Sequence, residues 1–322
     1  MIKHMHNETD GGAEPVSRGL LVGIGELLIE HADAAMQSRT VAIAGDVVNV
    51  LFYAGRLGMA TRLISGIGDD CYREEILATL ESRGTEIDGL DVDPQRTTGR
   101  YGITIDGRGE RSFTYDRENS AATMRLIGRD DLRLCNDTLP SDKVESPVWI
   151  YCSGITLAVF RESARLRSIL ALLKTRGAQL CFDLNYRSQL WTSQEDAQSV
   201  AEVMFGLADL VFVSDDDRRA LWDDESPGSL AQRYDIDRLI LTRGSGGASL
   251  YSRAAGILHR SPRSDCTPID TTGAGDALCG GVIAGLSSGL SEAAALERGI
   301  VLAGRVVQVS GAIDSAFDGS DL

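Results

Sequence analysis

The sequence predicts an α/β protein in three layers: a mostly parallel central sheet, helices on both faces, and a small β-flap. Three observations carry this. Short apolar runs of buried-strand type alternate with amphipathic runs of helical period. The strand-like runs are apolar throughout, which suits parallel strands covered on both faces. One stretch, Thr98 to Tyr115, instead alternates around Asp106-Gly107 in the manner of a hairpin.

Residues 1–18 are polar and carry Gly11-Gly12 and Pro15, so they are expected to form a disordered tail ahead of a single domain over 19–322. The first strand is expected at Leu20 to Gly25. Asn49 to Leu57 reads as a helix, Thr61 to Ile67 as a strand, and Tyr72 to Arg83 as a helix with Ile76, Leu77 and Leu80 on one face. Trp149 to Cys152 reads as a strand, and Arg161 to Arg176 as a helix carrying Leu166, Ile169, Leu170 and Leu173. Further strands are expected at Leu180 to Leu184, Leu210 to Val213 and Leu239 to Thr242. Small-residue and apolar helices follow from Ala277 and from Glu292 to Val309. Such alternation predicts βαβ units. The hairpin runs are only half apolar, so one face should cover something. Segments near 28–43 and 97–117 are expected to form a lid over a cleft, and an exposed flap sheet offers a surface for a homodimer.

The chain of 322 residues has 43 % apolar and 25 % charged residues, enough for a sizeable core in a soluble protein. No apolar run is long enough to span a bilayer, so no membrane partner is expected. No signal-peptide pattern precedes the first strand, and the expected location is cytoplasmic. A formal net charge of −15 argues against nucleic acid as a partner. It leaves room for a small anion, because a few arginines reverse the field inside one cleft. The six cysteines show no Cys-x-x-Cys and no metal-ligand spacing, so they are expected to be reduced and structural. No Walker A motif is present. Gly23-Ile24-Gly25-Glu26-Leu27-Leu28 begins like a dinucleotide-binding turn but ends on Leu, with no helical pattern behind it. A dinucleotide-dependent oxidoreductase is therefore a remote alternative.

Ligands of open parallel sheets bind at the carboxyl ends of the strands. The strongest candidate there is Asp270-Thr271-Thr272-Gly273-Ala274-Gly275-Asp276, running into a small-residue helix. Glycines let backbone approach a ligand, and N–H groups at a helix start form an anion site. A carboxylate at that end can take a proton from a hydroxyl while the N–H groups stabilise a transferred phosphoryl. The same residues also suit a plain helix start, so the pattern alone leaves both readings open.

This run resembles the signature of the ribokinase-like (PfkB) carbohydrate kinases. The resemblance implies ATP and Mg²⁺, a ribokinase-like fold, Asp276 as the base, and Gly273, Ala274 and Gly275 as the anion hole. Ala44-Gly45-Asp46-Val47-Val48-Asn49 resembles the family's first signature, with Ala44 where Gly is usual. By that match Gly45, Asp46 and Asn49 meet the sugar hydroxyls. Ser65 to Asp70 resembles the Gly-x-x-Gly-x-Asp element. Thr242, Gly244 and Gly247 match a glycine-bearing turn that borders the nucleotide, and Ser214 is expected beside the nucleotide too. Ser214 and Asp217 stand where many members carry Asn-x-x-Glu, an element that influences Mg²⁺. Asp270 and Ser315 match the surroundings of a monovalent cation site, implying K⁺.

Two stretches bear on the substrate: Tyr186-Arg187 in Asp183-Leu184-Asn185-Tyr186-Arg187, and Tyr115-Asp116-Arg117 at the end of the flap. Each sets an Arg beside a Tyr at a strand end. The guanidinium fork matches a carboxylate, which a neutral aldose lacks, so a sugar acid is expected. Surface ion pairs are the alternative for both arginines. These runs, with Tyr151 to Ala158, resemble the 2-keto-3-deoxygluconate kinases. That resemblance implies Tyr101, Tyr115, Arg117 and Arg187 as substrate ligands, and phosphorylation of the terminal hydroxyl to the 6-phosphate. Asp116 stands where Trp or Tyr is more usual. Fructokinase, ribokinase and nucleoside kinase remain as alternatives within the family.

Overall fold

A computed structural model describes residues 19–31, 42–105, 111–124, 136, 138–139, 147–223, 225–262 and 267–320. The expected N-terminal tail, the hairpin tip at Asp106-Gly107, Cys135 and Cys266 lie outside the described residues. The chain opens with β1 (Leu20–Ile24), β2 (Leu28–His31), β3 (Ala42–Ala44), α1 (Asp46–Arg56), β4 (Ala60–Gly68) and α2 (Arg73–Ser82). It continues through β5 (Thr85–Glu86), β6 (Leu90–Asp93), β7 (Gly99–Ile105), β8 (Arg111–Asp116), β9 (Val148–Ser153), α3 (Gly154–Val159), α4 (Ser163–Thr175) and β10 (Gln179–Asp183). Next come α5 (Gln194–Leu207), β11 (Leu210–Ser214), α6 (Asp215–Trp222), α7 (Pro227–Arg233) and β12 (Arg238–Thr242). The last elements are β13 (Ala248–Ser252), β14 (Gly256–Arg260), α8 (Ala274–Ser287) and α9 (Glu292–Val306).

The large sheet runs β14-β13-β12-β11-β10-β9-β1-β4-β5, with β6 also on β4. From β12 to β5 every pairing is parallel; β13 and β14 add an antiparallel hairpin at one edge. Strands β1 and β9 are buried along their whole length, which is why their sequences are unbroken apolar runs. Period-two geometry splits them between two cores. Leu21 points to the layer of α1, α8 and α9, whereas Leu20, Val22 and Ile24 point to that of α4 and α5. Helix α4 buries Leu166, Ile169, Leu170 and Leu173 on one stripe. Truncating one of these to Ala costs about 2–5 kcal/mol.

The small sheet, β3-β2-β7-β8, is the flap read from the sequence, with β7 and β8 antiparallel and in register from Arg100 opposite Asp116 to Ile105 opposite Arg111. Strand β2 follows the Gly23 to Leu28 run directly, where a dinucleotide fold would need a helix. Glycines set the depth of α8. A Cβ on Gly281 would lie 2.8 Å from Gly299 Cα, and one on Gly299 would lie 2.7 Å from the Leu278 carbonyl oxygen. Helices α8 and α9 thus touch backbone to backbone, and this fixes where α8 begins at the carboxyl edge of the sheet.

Candidate active site

Gly273 is the N-cap of α8, with φ 76° in the left-handed region. A Cβ there would sit 2.5 Å from the Ala312 carbonyl oxygen, so only Gly fits. Helices α5, α6, α7 and α9 start on a serine whose hydroxyl accepts a first-turn N–H. The start of α8 has no side-chain cap. Ala274 N–H donates to the Thr271 carbonyl at 3.3 Å. The N–H groups of Gly275 and Asp276 have no acceptor among the described residues. They are two donors at the positive end of a helix, suited to an oxyanion. Gly275 has open space where a Cβ would stand.

Asp276 lies in that first turn, half-buried. Asn49 Nδ2 donates to its Oδ2 at 2.8 Å, joining α1 to α8. Burial pushes the Asp276 carboxyl up to about 7, and the nearby Asp46 charge adds to this. The Asn49 hydrogen bond and the Arg187 charge oppose it. A carboxyl poised there can gain and lose a proton near neutral pH. Asn49 Oδ1 is buried and has no hydrogen-bond partner among the described residues, so it is an acceptor ready for a ligand hydroxyl.

Asp46 opens α1 behind Gly45. Gly45 has φ 133°, and a Cβ on it would meet the Glu26 carbonyl oxygen at 2.6 Å. Asn185 Nδ2 donates to Asp46 Oδ2 at 3.1 Å across the cleft. Asn185 itself has φ 35°, a conformation that such sites tolerate at a cost of about 1–3 kcal/mol. Below it Asp183, at the end of β10, accepts the Tyr151 hydroxyl at 3.2 Å and faces the Cys279 thiol at 3.8 Å. Burial pushes Asp183 up to about 8, with Asp276, Asp46 and Asp217 adding repulsion and Tyr151 opposing.

Arg187 is exposed. Its Nη1 donates to its neighbour's carbonyl, that of Tyr186, at 2.9 Å, and it has no ion-pair partner among the described residues. Its charge does reach Asp276 and Asp217. Asp217 accepts Tyr186 N–H at 3.2 Å, and Ser214 caps α6 by accepting Asp217 N–H at 3.0 Å. Burial raises the Asp217 carboxyl against these hydrogen bonds and Arg187.

Arg117 Nη1 donates to Glu26 Oε2 at 3.0 Å, and its guanidinium lies 4.6 Å from the Tyr115 ring centre. Tyr115 is 53 % exposed and packs against Tyr101 at 6.0 Å between rings. The Tyr101 hydroxyl donates to Glu30. On the other side, Thr242 ends β12, and Gly244 and Gly247 bracket a tight turn with φ 51° and 80°. Asp270 is buried, and its carboxyl accepts Thr272 N–H, the Thr272 hydroxyl and Gly311 N–H at 2.7–3.0 Å. Ser315 is exposed, one residue beyond buried Asp314.

The structure therefore brings Asp46, Asn49, Arg187, Asp217 and Asp276 together at one edge. Sequence reasoning missed Asp183, Asn185 and Glu26 as participants. Asp183 and Asn185 stood inside the quoted Arg187 run; for Glu26 the signal was a lone acid in an apolar strand end.

A carbohydrate-kinase family model, pfkB, matches residues 21–318. The 2-dehydro-3-deoxygluconokinase of Escherichia coli (strain K12) is 28 % identical over 303 residues, covering 90 % of this chain and 95 % of that protein. Fructokinase-2 of Solanum habrochaites is 29 % identical over 83 % of this chain and 81 % of its own length. The fructose-, ADP- and calcium-bound fructokinase of Vibrio cholerae O395 superposes with a TM-score of 0.77 at 24 % identity, covering 92 % of this chain and 95 % of that one. With the α8 start, its paired donors and a half-buried carboxylate already in place, the match over nearly the whole length is decisive: the chain belongs to the PfkB family of carbohydrate kinases.

Proposed function

We propose that this kinase transfers the γ-phosphoryl of ATP to the terminal hydroxyl of a sugar acid, 2-keto-3-deoxygluconate, giving the 6-phosphate. The observation that carries the substrate is Arg187: an exposed guanidinium at the carboxyl edge, without an acidic partner among the described residues, within electrostatic reach of Asp276. A carboxylate is the ligand its fork fits best. The similarity to 2-dehydro-3-deoxygluconokinases supports the same reading.

In this reading Asn49 and Asp46 orient the sugar hydroxyls, and Asp276 takes the proton of the terminal hydroxyl as that oxygen attacks phosphorus in line. The Gly275 and Asp276 N–H groups bear the charge that develops on the transferred group. Tyr101, Tyr115 and Arg117 act from the small sheet, which serves as a lid that keeps water from the phosphoryl group. The nucleotide lies along Ser214, Thr242, Gly244 and Gly247. Mg²⁺ would be held by Asp217, a hard oxygen donor whose carboxyl is under-neutralised, and by the phosphates; it offsets phosphate charge. A monovalent cation, K⁺, is expected near Asp270 and Ser315, although the Asp270 oxygens already accept three protein hydrogen bonds.

A second reading is a fructokinase. It is favoured by Arg117, whose charge is already matched by Glu26, and by the similarity to plant fructokinases. A coupled ADP-release assay over keto-acids, fructose, ribose and nucleosides separates the two. If fructose or ribose gives a higher kcat/KM than every sugar acid, the sugar-acid reading is wrong. Omitting K⁺ from the same assay tests the cation.

A further inference from the structure

Glu26 is a buried carboxylate that the proposed reaction leaves without a task. It lies between β1 and β2, where the large sheet leads into the small one, and is 2 % exposed. Its Oε2 accepts one hydrogen bond, from Arg117. Its Oε1 is sealed from solvent and has no hydrogen-bond partner among the described residues. An ionised carboxylate has about four acceptor positions, so this anion is poorly satisfied. The charged groups that face it are few. Arg117, just past β8, is the cation, and Asp46 from α1 is a second anion. Strand β7 brings Gly99, where a Cβ would stand 3.2 Å from Oε1. Tyr115 holds the guanidinium from the other side.

Before substrate binds, the Glu26 and Arg117 charges cancel. A substrate carboxylate held by Arg187 that also engages Arg117 leaves the Arg117 cation between two anions, inside a site where charge is poorly screened. We propose that Glu26 is a proton-linked positioning residue: it holds Arg117 in place, and takes up one proton when a substrate carboxylate engages that guanidinium. This rests on the sugar-acid reading above. The proton comes from solvent, forms an O–H bond on the Glu26 carboxyl, and no other bond changes. Burial pushes Glu26 up to about 7, with Arg117 opposing and Asp46 adding, so a small further push protonates it at neutral pH.

Isothermal titration calorimetry of the whole chain tests this. 2-Keto-3-deoxygluconate is titrated at about pH 8 in buffers of different ionisation enthalpy, which counts protons bound. The expected result is net uptake of a fraction of a proton, up to about one, for the sugar acid, with fructose binding giving much less. Glu26→Gln should lose that uptake. Sugar-acid affinity in the native chain should weaken by up to about tenfold per pH unit above the Glu26 value, and less steeply in the variant, which keeps only what Asp276 contributes to both. Asp276 also titrates near neutral pH, and Glu26→Gln retains it, so the difference between the two proteins isolates Glu26. Sugar-acid binding without uptake, or with equal uptake in both proteins, overturns the proposal and leaves the sugar-acid reading standing. Binding of fructose but not of the sugar acid overturns both. Should the variant not fold, the native chain decides: equal uptake with sugar acid and fructose overturns the proposal.

Discussion

Asn49 and Asp276, 227 residues apart, meet through a 2.8 Å hydrogen bond that ties the start of α1 to the start of α8. The bond joins the two family signatures in one contact. It also has a direction: the Asn49 amide donates, so it stabilises the Asp276 anion, the form that can accept a proton.

Two variants follow from this bond. Asp276→Asn should lower kcat by about 10²–10⁴-fold, the usual span for removing a general base, with little change in KM. Asn49→Ala should act through pH. Removing a donor to the anion raises the Asp276 pKa above about 7, so the acid limb of the pH–rate profile moves up. A hydrogen bond to a charged group contributes about 1.5–3 kcal/mol, so the shift should be about 1–2 pH units. An unmoved limb in a pH series of ADP release would remove Asp276 as the titrating base.

The glycines at the same helix start should separate folding from chemistry. Gly273→Ala puts a Cβ into a left-handed residue, at about 1–2 kcal/mol, and against the Ala312 carbonyl oxygen. A lower Tm is expected along with lower activity. Gly275→Ala meets nothing within 4 Å. Its Tm should match the native chain while KM for ATP rises, because the new methyl enters the space in front of the free N–H groups. Thermal melts beside ATP titrations check both; equal melting losses would show that neither glycine faces a ligand.

How far the sequence led depends on whether the cause was local. Buried parallel strands declare themselves by unbroken apolar runs, so β1, β4, β9, β10, β11 and β12 were readable to within a residue or two. The helix expected from Ala277 starts at Ala274, within three residues, because the glycines that mark its start in the sequence include the left-handed N-cap Gly273. Long-range partnerships were not readable. For Arg117 the sequence leaves a substrate ligand and an ion pair both open, because nothing near it in sequence reveals Glu26, 91 residues earlier. Asp183 looked like part of a motif; its pKa is raised by burial and then by repulsion from Asp276, Asp46 and Asp217, carried on three other elements. Short strands such as β3, β5 and β6 have too few residues to set a period.

Stability should fall as pH rises from about 5 to 8. Glu26, Asp276 and Asp183 are pushed up to about 7, 7 and 8 in the fold, against about 4 when unfolded. Between those values the folded chain binds more protons than the unfolded one. The contribution is fully present below about 4 and is lost as pH rises through 7–8. Asp183→Asn removes the most strongly shifted of the three. It should raise Tm relative to the native chain near pH 8 and flatten the slope. Differential scanning calorimetry across pH reads this directly, and a steeper slope in the variant would contradict it.

Arg187 should have two separable effects. As the carboxylate ligand, its loss in Arg187→Ala should lower kcat/KM for a sugar acid by about 10²-fold, corresponding to roughly 3 kcal/mol. Arg187→Lys should recover only part, since a point charge replaces a two-pronged fork. As a positive charge near Asp276, Arg187 lowers that pKa, so its removal should move the acid limb upward for every sugar, neutral ones included. Measured well above the limb, fructose turnover should then be untouched by the substitution while sugar-acid turnover stays low. If both sugars lose equally at high pH, Arg187 serves the shared chemistry, not the carboxylate. If neither loses, its exposed guanidinium is a surface charge, and the case for a sugar acid falls back on Arg117.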